Sequence, residues 1–430
     1  MVVIPVAIFL AQGNMSLFGT VTGAVRALGM LAGLVATALM CQMLLLAARI
    51  PFVDGTLGHD RALRRHRALN GAMITLLIMH GVLLVISYAA AAQLSIAAEF
   101  TGLLGGRDFV LAVLAMVLLG VVGFSSAVAV KAKLSHEVWH VIHLVSYLAV
   151  VVAIPHQFSM GGMFSQGLAR AYWIGMFAVT FFCLLCFRFG YPLFNSMDHQ
   201  VRVVGVQRLS RDTVNIYFKG RDLDELDAHA GQFFSFRFLQ PDLWWHAHPF
   251  SLSSPVRGDG FRITVRALGK GSAALARVRP GTPVLFQGPY GMFSDRARTT
   301  GGLILVGSGA GLGAILAVLE ETSVVPGRAL VILRATRSDG LYNLAEFQRV
   351  CTQRGVQLVT MVGHRARYSD GTETWVSRQY AGYQLGDFAP WARQADIYVC
   401  GPEGFLDAVV TDARAYGVPE DQVHGERFEW

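Results

Sequence analysis

The sequence predicts a membrane α-helical bundle of six spans, followed by an antiparallel β-barrel and an α/β doubly wound domain. Three observations predict this fold. Residues 1–194 are almost continuously apolar, which is typical of a transmembrane domain. In residues 195–298, short β-type runs alternate with turn residues, which favours a small antiparallel barrel. In residues 299–430, buried-strand runs alternate with helical segments, which favours a parallel sheet covered by helices.

Five apolar runs are long enough to cross a hydrocarbon core, which requires about 20 residues. They lie near 23–48, 68–92, 108–130, 138–160 and 170–190. A sixth run, at 2–12, is too short to span unless it continues through Ser16 and Phe18. It lacks the basic start and the cleavage site of a signal peptide. We therefore interpret it as a shortened first span.

The loop charges predict the orientation of these spans in the lipid bilayer. The 430 residues carry a formal net charge of +7, and the basic residues of the apolar half lie in short loops, which argues against a nucleic-acid partner. Because the side richer in basic residues is cytoplasmic, we expect a multi-pass protein of the plasma (inner) membrane with its soluble half in the cytoplasm. With six spans, one side holds Arg49, Arg61, Arg64, Arg65, Arg67, Lys131, Lys133 and Arg188, and the other holds Arg26, Arg107 and Arg170.

Two of the predicted spans each carry two histidines, although ionisable residues are costly inside a membrane. His66 and His80 are 14 residues apart, which places them on one face of a helix about 21 Å apart. His143 and His156 are 13 residues apart, or about 140° apart on an ideal helix, and Pro155 should distort that helix. One arrangement employs all four side chains: each of two haems is held between the spans by one histidine from each. A proton relay is the alternative.

In that arrangement His66 pairs with His143 on the cytoplasmic side, and His80 pairs with His156 toward the outside. The cysteines do not suggest an alternative metal site. The five cysteines form no disulfide framework, and Cys183 and Cys186 read as ordinary residues of an apolar span rather than a redox pair.

The soluble half contains two sets of strand-like runs. The barrel runs are VRVVGVQRL, TVNIYFKG, QFFSFRFL, FRITVRAL and TPVLFQGP. The buried-strand runs are LILVG at 303–307, ALVILRA at 329–335, VQLVTMVG at 356–363 and DIYVCG at 396–401. After the first buried run, VGSGAGLGAIL at 306–316 leads from a strand into a helix, where Gly307, Gly309 and Gly311 let the backbone approach a dinucleotide.

The next strand ends in Arg334, followed by Arg337, with no acidic residue immediately at its end. An acidic residue there would bind the ribose 2′-hydroxyl of NADH, whereas arginines suit the 2′-phosphate of NADPH. The sequence therefore favours NADPH, with NADH as the alternative.

Together these residues resemble the ferric reductase and NADPH oxidase superfamily, flavocytochromes that carry electrons across membranes. The likeness covers nearly the whole chain: six spans with two histidines in each of two, then a ferredoxin-NADP reductase-like half. It implies a transmembrane haem-binding domain at 1–194, an FAD-binding barrel at 195–298 and an NAD(P)H-binding domain at 299–430. It also implies FAD, two b-type haems and NADPH as cofactors.

The resemblance assigns roles to the HPFSLSS stretch at 248–254 and to the segment after it. The Ser251 hydroxyl is implied to lie near flavin N5, as a catalytic group. Independently of the resemblance, Gly271 and Ser272 at the start of a helix offer N–H groups and a hydroxyl to phosphate. By resemblance, the isoalloxazine is lined by His248, Pro249, Phe250 and Ser251, and the FAD pyrophosphate is held by Arg266, Lys270, Gly271 and Ser272.

Two further catalytic roles follow from the resemblance. In CGPEGF, Cys400 is implied to lie, together with Gly401 and Pro402, beside the nicotinamide carbon that yields the hydride. Without the resemblance, a buried cysteine at the end of a strand is an equally good interpretation of Cys400. Trp430 is implied to cover the flavin face and to move for nicotinamide; by itself it reads as a docked tail. The family usually shows Thr-Pro two residues after the last glycine of its loop, where this chain has Gly313 and Ala314.

We therefore expect transmembrane electron transfer from cytosolic NADPH, through FAD and two haems, to an acceptor outside the cytoplasm. Because two histidines leave iron with no open position, the acceptor is reduced without binding the metal. Dioxygen, giving superoxide, and a ferric chelate both fit, and dioxygen is favoured because it requires no dedicated pocket. The alternatives are a donor to a periplasmic protein and, in another class, a nucleotide-binding sensor or transporter. No obligatory protein partner is evident.

Overall fold

The computed structural model describes residues 1–132, 134, 136–160, 162–164 and 166–426. The chain forms two compact units, the first ending at Gly190 and the second beginning at Tyr191. The first unit is helical. Its helices are α1 (Val3–Ala11), α2 (Val21–Ala47), α3 (Pro51–Leu57), α4 (His59–Ala92), α5 (Ile96–Leu103), α6 (Arg107–Ala132), α7 (His136–Ser159) and α8 (Gly167–Cys183).

The five long apolar runs of the sequence are confirmed as helices of spanning length. Among the described residues, the helices long and apolar enough to cross a membrane are Val21–Ala47, Arg61–Ala92, Arg107–Ala127, Val138–Ser159 and Gly167–His199. The last of these continues α8 through a π-helical turn, Leu184–Gly190, into α9 (Tyr191–His199). Helix α2 packs along α4 and α6 along α7.

The sixth span is not confirmed. Helix α1 covers nine residues and ends before Gly13, whose φ of 77° lies in the left-handed region. At about 1.5 Å per residue it is about 14 Å long, roughly half of the ~30 Å hydrocarbon core. A first span built around this run therefore stays a prediction.

The second unit begins with two three-stranded antiparallel sheets. Their elements, after α9, are β1 (Arg202–Arg208), β2 (Thr213–Lys219), β3 (Phe233–Phe238), β4 (His248–Ser251), β5 (Gly260–Arg266), α10 (Lys270–Leu275) and β6 (Val284–Tyr290). The strand orders are β1-β2-β5 and β4-β3-β6. Phenylalanines at alternate positions, such as Phe234, Phe236 and Phe238 on β3, fill the core between them. Single bridges, Arg202 to Pro283 and Leu252 to Ile263, connect the two sheets.

The rest of the second unit is built on a five-stranded parallel sheet. Its elements are β7 (Gly302–Ser308), α11 (Leu312–Glu321), β8 (Ala329–Ala335), α12 (Leu344–Arg354), β9 (Gln357–Val362), β10 (Arg365–Arg367), β11 (Glu373–Ser377), α13 (Leu385–Phe388), β12 (Ala395–Cys400), α14 (Glu403–Tyr416) and β13 (Val423–Glu426). The parallel order is β13-β12-β7-β8-β9, and β10 pairs with β11 in a separate hairpin.

Both faces of the parallel sheet are covered, which explains why its strands read as continuous apolar runs. Leu303 and Leu305 pack into the core beside α11 and α12, whereas Ile304 and Val306 pack into the core beside α14. Because all the strands run the same way, their carboxyl ends lie along one edge, where doubly wound sheets bind ligands. The glycine loop and the CGP segment lie at this edge.

Candidate functional site

The structure brings the four predicted histidines of the membrane unit together as two pairs. The ring centroids of His66 and His143 are 6.2 Å apart, and those of His80 and His156 are 6.4 Å apart. Pro155 lies inside α7, as the sequence indicates. The pairs form even though an ideal helix would place His143 and His156 about 140° apart.

The separation within each pair fits a haem iron between the two rings. Two iron–nitrogen bonds of about 2 Å, plus about 1.1 Å from each nitrogen to its ring centre, give a centroid separation of about 6 Å. Both observed separations agree with this value. A direct hydrogen bond between two imidazoles would instead need a nitrogen–nitrogen distance of about 3 Å, so the rings would lie nearer together.

Hydrogen bonds fix which ring nitrogens of the α4 histidines are available to a metal. Nδ1 of His66 lies 3.0 Å from the carbonyl oxygen of Met43, and Nδ1 of His80 lies 2.9 Å from that of Gly29. Because a carbonyl can only accept, both Nδ1 atoms donate, and in the neutral ring Nε2 carries the lone pair. This is the tautomer that an Nε2-ligating histidine requires.

The α7 histidine of the first pair is held differently. Trp139 stacks on His143, with centroids 5.0 Å apart and planes 28° apart. The Trp139 indole N–H also donates to the Ser126 hydroxyl on α6, at 3.4 Å. Sequence reasoning did not identify Trp139, whose only signal was its position four residues before His143, on the same helix face.

The HPFS segment forms strand β4 and pairs antiparallel with β3, with His248 opposite Phe236 and Ser251 opposite Phe233. The Ser251 hydroxyl and His248 Nε2 are buried, with no hydrogen-bond partner among the described residues. Such orphaned polar atoms fit a site whose bound group supplies their partners. Burial, followed by the electrostatic effects of His246 and Arg237, lowers the pKa of His248 to about 4, so its ring is neutral at physiological pH.

The second part of the predicted flavin site lies next to the first. A Cβ atom on Gly271, at the start of α10, would lie 3.3 Å from Cε1 of His248. The Ser272 hydroxyl accepts hydrogen bonds from the backbone N–H groups of Leu268 and Gly269, which fixes the loop before the helix. The Lys270 side chain lies outside the described part of the structure.

Arg266, predicted to hold the pyrophosphate, is ion-paired with Asp212, with Nε to Oδ2 at 2.9 Å. Burial would raise the pKa of Asp212, but hydrogen bonds from Arg266, Ser210 and Thr213 and the Arg266 charge hold it below its ordinary value. Asp212 therefore stays ionised and keeps the half-exposed Arg266 side chain in place. Sequence reasoning missed Asp212, because the pairing depends on the adjacency of β2 and β5.

The glycine loop packs directly on the CGP segment. Cys400 and Gly307 are paired in parallel register at the carboxyl ends of β12 and β7. A Cβ on Gly311 would lie 2.8 Å from the Gly401 nitrogen and closer still to the Cys400 carbonyl, so no side chain fits there. Gly309 has a φ of 55°, and its carbonyl accepts a hydrogen bond from the buried Tyr342 hydroxyl. The sequence did not reveal Tyr342.

Cys400 is fully buried. Burial, with the negative charge of Glu426, raises the pKa of its thiol well above the ordinary value, so the thiol is neutral. Glu426 is the residue opposite Cys400 in the β12–β13 register, which makes it a further candidate of the site. Pro402 lies 3.9 Å from the position of a Cβ on Gly309. Trp430 lies outside the described residues.

The two arginines predicted to bind the 2′-phosphate lie in different surroundings. Arg334 is 8% exposed, and its Nη2 donates to the carbonyl of Gly363 at 2.8 Å. Burial, followed by the charge of Arg365, lowers the pKa of Arg334. Arg337 is 80% exposed in its side chain and forms a 3.0 Å ion pair with Asp339. Of the two, Arg337 is the more accessible to a coenzyme phosphate.

Packing explains why this chain has Gly313 where the family usually shows threonine. A Cβ on this residue would lie 2.9 Å from Cβ of Ser253 and 3.0 Å from Cβ of Thr264. Ser253 also receives a hydrogen bond on its carbonyl from the buried Arg262, whose Nη1 forms a 3.0 Å ion pair with Glu346 on α12. Helix α11 thus approaches the strands of the flavin part too closely for a side chain at position 313.

Comparison with known proteins gives matches for both halves of the chain. Residues 32–154 match the family of the ferric reductase like transmembrane component. This segment contains His66, His80 and His143 and ends two residues before His156.

A flavohemoprotein of Chromobacterium violaceum is 29% identical over 245 residues, which cover 53% of this chain and 59% of the relative. A flavohemoprotein of Xylella fastidiosa is 26% identical over 205 residues, covering 46% and 50%. The NADPH oxidoreductase of Mycobacterium tuberculosis is 24% identical over 248 residues, covering 55% and 62%. The chain thus spans about half to three fifths of the length of these relatives.

Among solved structures, the flavohem-like FAD/NAD-binding domain of nitric oxide dioxygenase from Vibrio cholerae is 22% identical, with a TM-score of 0.41, and covers 54% of this chain and 99% of that domain. The family and sequence matches confirm the resemblance drawn from the sequence. A ferric reductase-like transmembrane segment occurs in the same chain as a region similar to flavohemoproteins and to an NADPH oxidoreductase, and the family match together with the five apolar helices indicates a multi-pass membrane protein.

Proposed function

We propose that this ferric reductase-like membrane oxidoreductase carries electrons from NADPH, through FAD and two b-type haems, to an acceptor on the far side of the membrane. The observation that carries the proposal is the pairing of four intramembrane histidines at separations that suit one iron per pair. A sensor or transporter would give these four side chains no shared role. We retain the division into a transmembrane domain at 1–194, a flavin barrel at 195–298 and a nucleotide domain at 299–430, with six spans.

Helices α4 and α7 each provide one histidine of each pair. His66 and His80 on α4 present Nε2 because their Nδ1–H groups are already bound to carbonyls of α2. His143 and His156 on α7 supply the second ring of each pair. A haem iron held by both rings of a pair would have no position left for an acceptor, which would then receive its electron without ligating the metal.

The residues of the second unit bind and orient the flavin and the nicotinamide. FAD bound there would supply a group that can accept a two-electron hydride and give up single electrons, which is the conversion needed between a nicotinamide and one-electron haems. We propose that the segment His248–Ser251 lines the isoalloxazine and that the buried Ser251 hydroxyl donates toward flavin N5. Arg266, held by Asp212, and the start of α10 are proposed to bind the pyrophosphate.

Cys400 is proposed to lie beside the nicotinamide ring. Its thiol is buried, neutral and fixed at the strand end beside the glycine loop, so it shapes the site without competing as a nucleophile. Gly307, Gly309 and Gly311 are proposed to admit the pyrophosphate of NADPH at the carboxyl edge of the sheet, with Gly401 and Pro402 forming the opposite wall. Trp430 is proposed to cover the flavin face until nicotinamide enters.

Dioxygen, reduced to superoxide, is the proposed acceptor, because outer-sphere transfer to a small diffusible oxidant needs no dedicated binding pocket. A ferric chelate is the second candidate, supported by the family match of residues 32–154. A protein acceptor on the periplasmic side is the third. We place the protein in the plasma (inner) membrane, with the NADPH-binding half in the cytoplasm, on the basis of the loop charges.

The test follows haem reduction optically in purified full-length protein. The protein is supplied with FAD and NADPH without oxygen, and then oxygen or a ferric chelate is added. We expect reduced-haem bands after NADPH, followed by rapid reoxidation and superoxide formation on adding oxygen. Fast reoxidation by the chelate but slow reoxidation by oxygen would make the protein a metal reductase, and slow reoxidation by both would indicate a protein acceptor. Absence of haem bands would refute the proposal.

A further inference from the structure

Helix α2 provides the carbonyl oxygens that orient both α4 histidines. His80 donates to Gly29 and His66 donates to Met43. The two histidines are 14 residues apart on α4, and the two acceptors are 14 residues apart on α2. Because α2 packs along α4, one contact is repeated at two levels of the bundle.

A carbonyl in the middle of a helix is not normally free to accept a second hydrogen bond from another helix. It already accepts from the N–H four residues later, and the side chain at that later position lies over the preceding turn. The position four residues after Gly29 is Gly33, which has no side chain. The position four residues after Met43 is Ala47, which has only a methyl group. Both acceptors are thus left uncovered.

The contact at Gly33 is the tighter constraint. A Cβ atom there would lie 2.7 Å from Cε1 of His80 and 3.0 Å from Cγ, and closer still to Nδ1. Moving the imidazole would break its hydrogen bond to the Gly29 carbonyl and change its position relative to the His156 ring. A methyl group at position 33 would therefore displace the whole ring.

We infer that Gly33 is a positioning residue for the His80–His156 pair: by lacking a side chain it uncovers the Gly29 carbonyl and admits the His80 ring. This inference rests on the proposed role of the pair as haem ligands. It predicts that position 33 controls one haem and leaves the haem of the His66–His143 pair unaffected. It also predicts that the effect of position 33 acts only through His80.

The test compares Gly33→Ala with Gly71→Ala in full-length protein purified with haem. Gly71 is a matched control, because it is also an intramembrane helical glycine and a Cβ there would meet no atom within 4 Å. Alanine favours a helix over glycine, so helix propensity alone predicts no loss in either variant. We expect one haem of Gly33→Ala to lose its six-coordinate low-spin spectrum, which added imidazole restores. The other haem keeps its midpoint potential, and Gly71→Ala matches the wild type.

A double variant separates positioning from general packing. With His80→Ala already present, the ring that the new methyl group would strike is gone, so adding Gly33→Ala should leave the remaining haem unchanged and should not lower the thermal stability. A further loss in that background would mean that Gly33 has a structural role and would overturn the inference. So would a Gly33→Ala spectrum equal to that of the wild type. A wild-type protein without haem would instead overturn the proposed function, which distinguishes the two failures.

Discussion

Gly311 lies directly against the backbone of Cys400, so close that a Cβ atom on Gly311 would overlap the Cys400 carbonyl and lie 2.8 Å from the Gly401 nitrogen. The φ of Gly311 is −68°, which any residue adopts, so close approach rather than backbone conformation is what requires glycine here. The contact holds the glycine loop on the end of β12, where the proposed nicotinamide site is assembled.

Gly311→Ala should therefore impair hydride transfer from NADPH to the flavin. The added methyl group pushes the loop away from Cys400, and a misplacement of about 1 Å costs roughly ten- to hundredfold in rate. Stopped-flow flavin reduction by NADPH measures this effect. Gly301→Ala is the control, because a Cβ at position 301 meets no atom within 4 Å and should leave the rate unchanged. Equal rates in both variants would show that the loop tolerates the displacement.

The two histidine pairs make separate predictions for the two haems. His143→Leu should remove the haem of the first pair, and His156→Leu should remove the haem of the second. Each single variant should bind about half of the wild-type haem, and the double variant should bind none. NADPH should still reduce the flavin in all three. Full haem content in either single variant would show that its histidine is not a ligand.

Much of this arrangement could be predicted from the sequence because it depends on local spacing. The four histidines, the five long spans and the buried strands of the parallel sheet all follow from residue type and periodicity. Strands β4 and β13 did not follow. His248–Ser251 and Val423–Glu426 are four residues long and lack an apolar pattern, so their strand conformation depends on pairing with β3 and β12.

The parts of the site that the sequence did not reveal are those made by contacts between elements distant in sequence. Asp212 meets Arg266 because β2 and β5 are neighbours, and Tyr342 meets Gly309 across 33 residues. The Gly29 carbonyl meets His80 only because α2 packs along α4. A residue whose role depends on a partner in another element has no local signature, and this is why spacing identified the ligands but not their supports.

Asp396 should be important for the stability of the nucleotide domain. Its fully buried carboxylate accepts hydrogen bonds from His424 Nε2 at 2.8 Å and from the backbone N–H groups of Thr299 and Thr300. Burial would raise the pKa of Asp396, but these hydrogen bonds outweigh it and hold the pKa below its ordinary value, so the group is ionised at neutral pH.

Asp396→Asn should lower the free energy of unfolding by about 2–4 kcal/mol, because an amide N–H₂ would face donors instead of accepting from them. Thermal unfolding should shift down by roughly 4–16 °C. Asp421→Asn, at an exposed position, is the control and should have little effect. A shift for Asp396→Asn as small as that of the control would show that the hydrogen bonds contribute little net stability.

His248 should make the protein less stable in mild acid. In the folded protein its pKa is about 4, whereas an unfolded chain binds the proton near pH 6.5. Because the unfolded state binds more protons between these values, the contribution of His248 lowers stability as pH falls from about 6.5 to about 4 and changes no further below that. Melting temperatures across this range should fall less steeply in His248→Asn than in the wild type. Exposed His364 provides the control, since His364→Asn should keep the wild-type slope.

Arg337 should determine the preference for NADPH over NADH. Among the described residues its exposed guanidinium pairs with Asp339, and an exposed pair of this kind contributes about 0–1 kcal/mol, so a 2′-phosphate can compete for the arginine. Arg337→Ala should reduce kcat/KM for NADPH about tenfold and leave the value for NADH unchanged. The matched control is Arg414→Ala, since Arg414 forms a similarly exposed ion pair with Glu420. Equal losses with both coenzymes would show that Arg337 binds a part of the molecule that NADPH and NADH share. No loss with either coenzyme would indicate that Arg334 binds the 2′-phosphate instead. Because Arg334 is buried, its surroundings would have to open before a phosphate could bind.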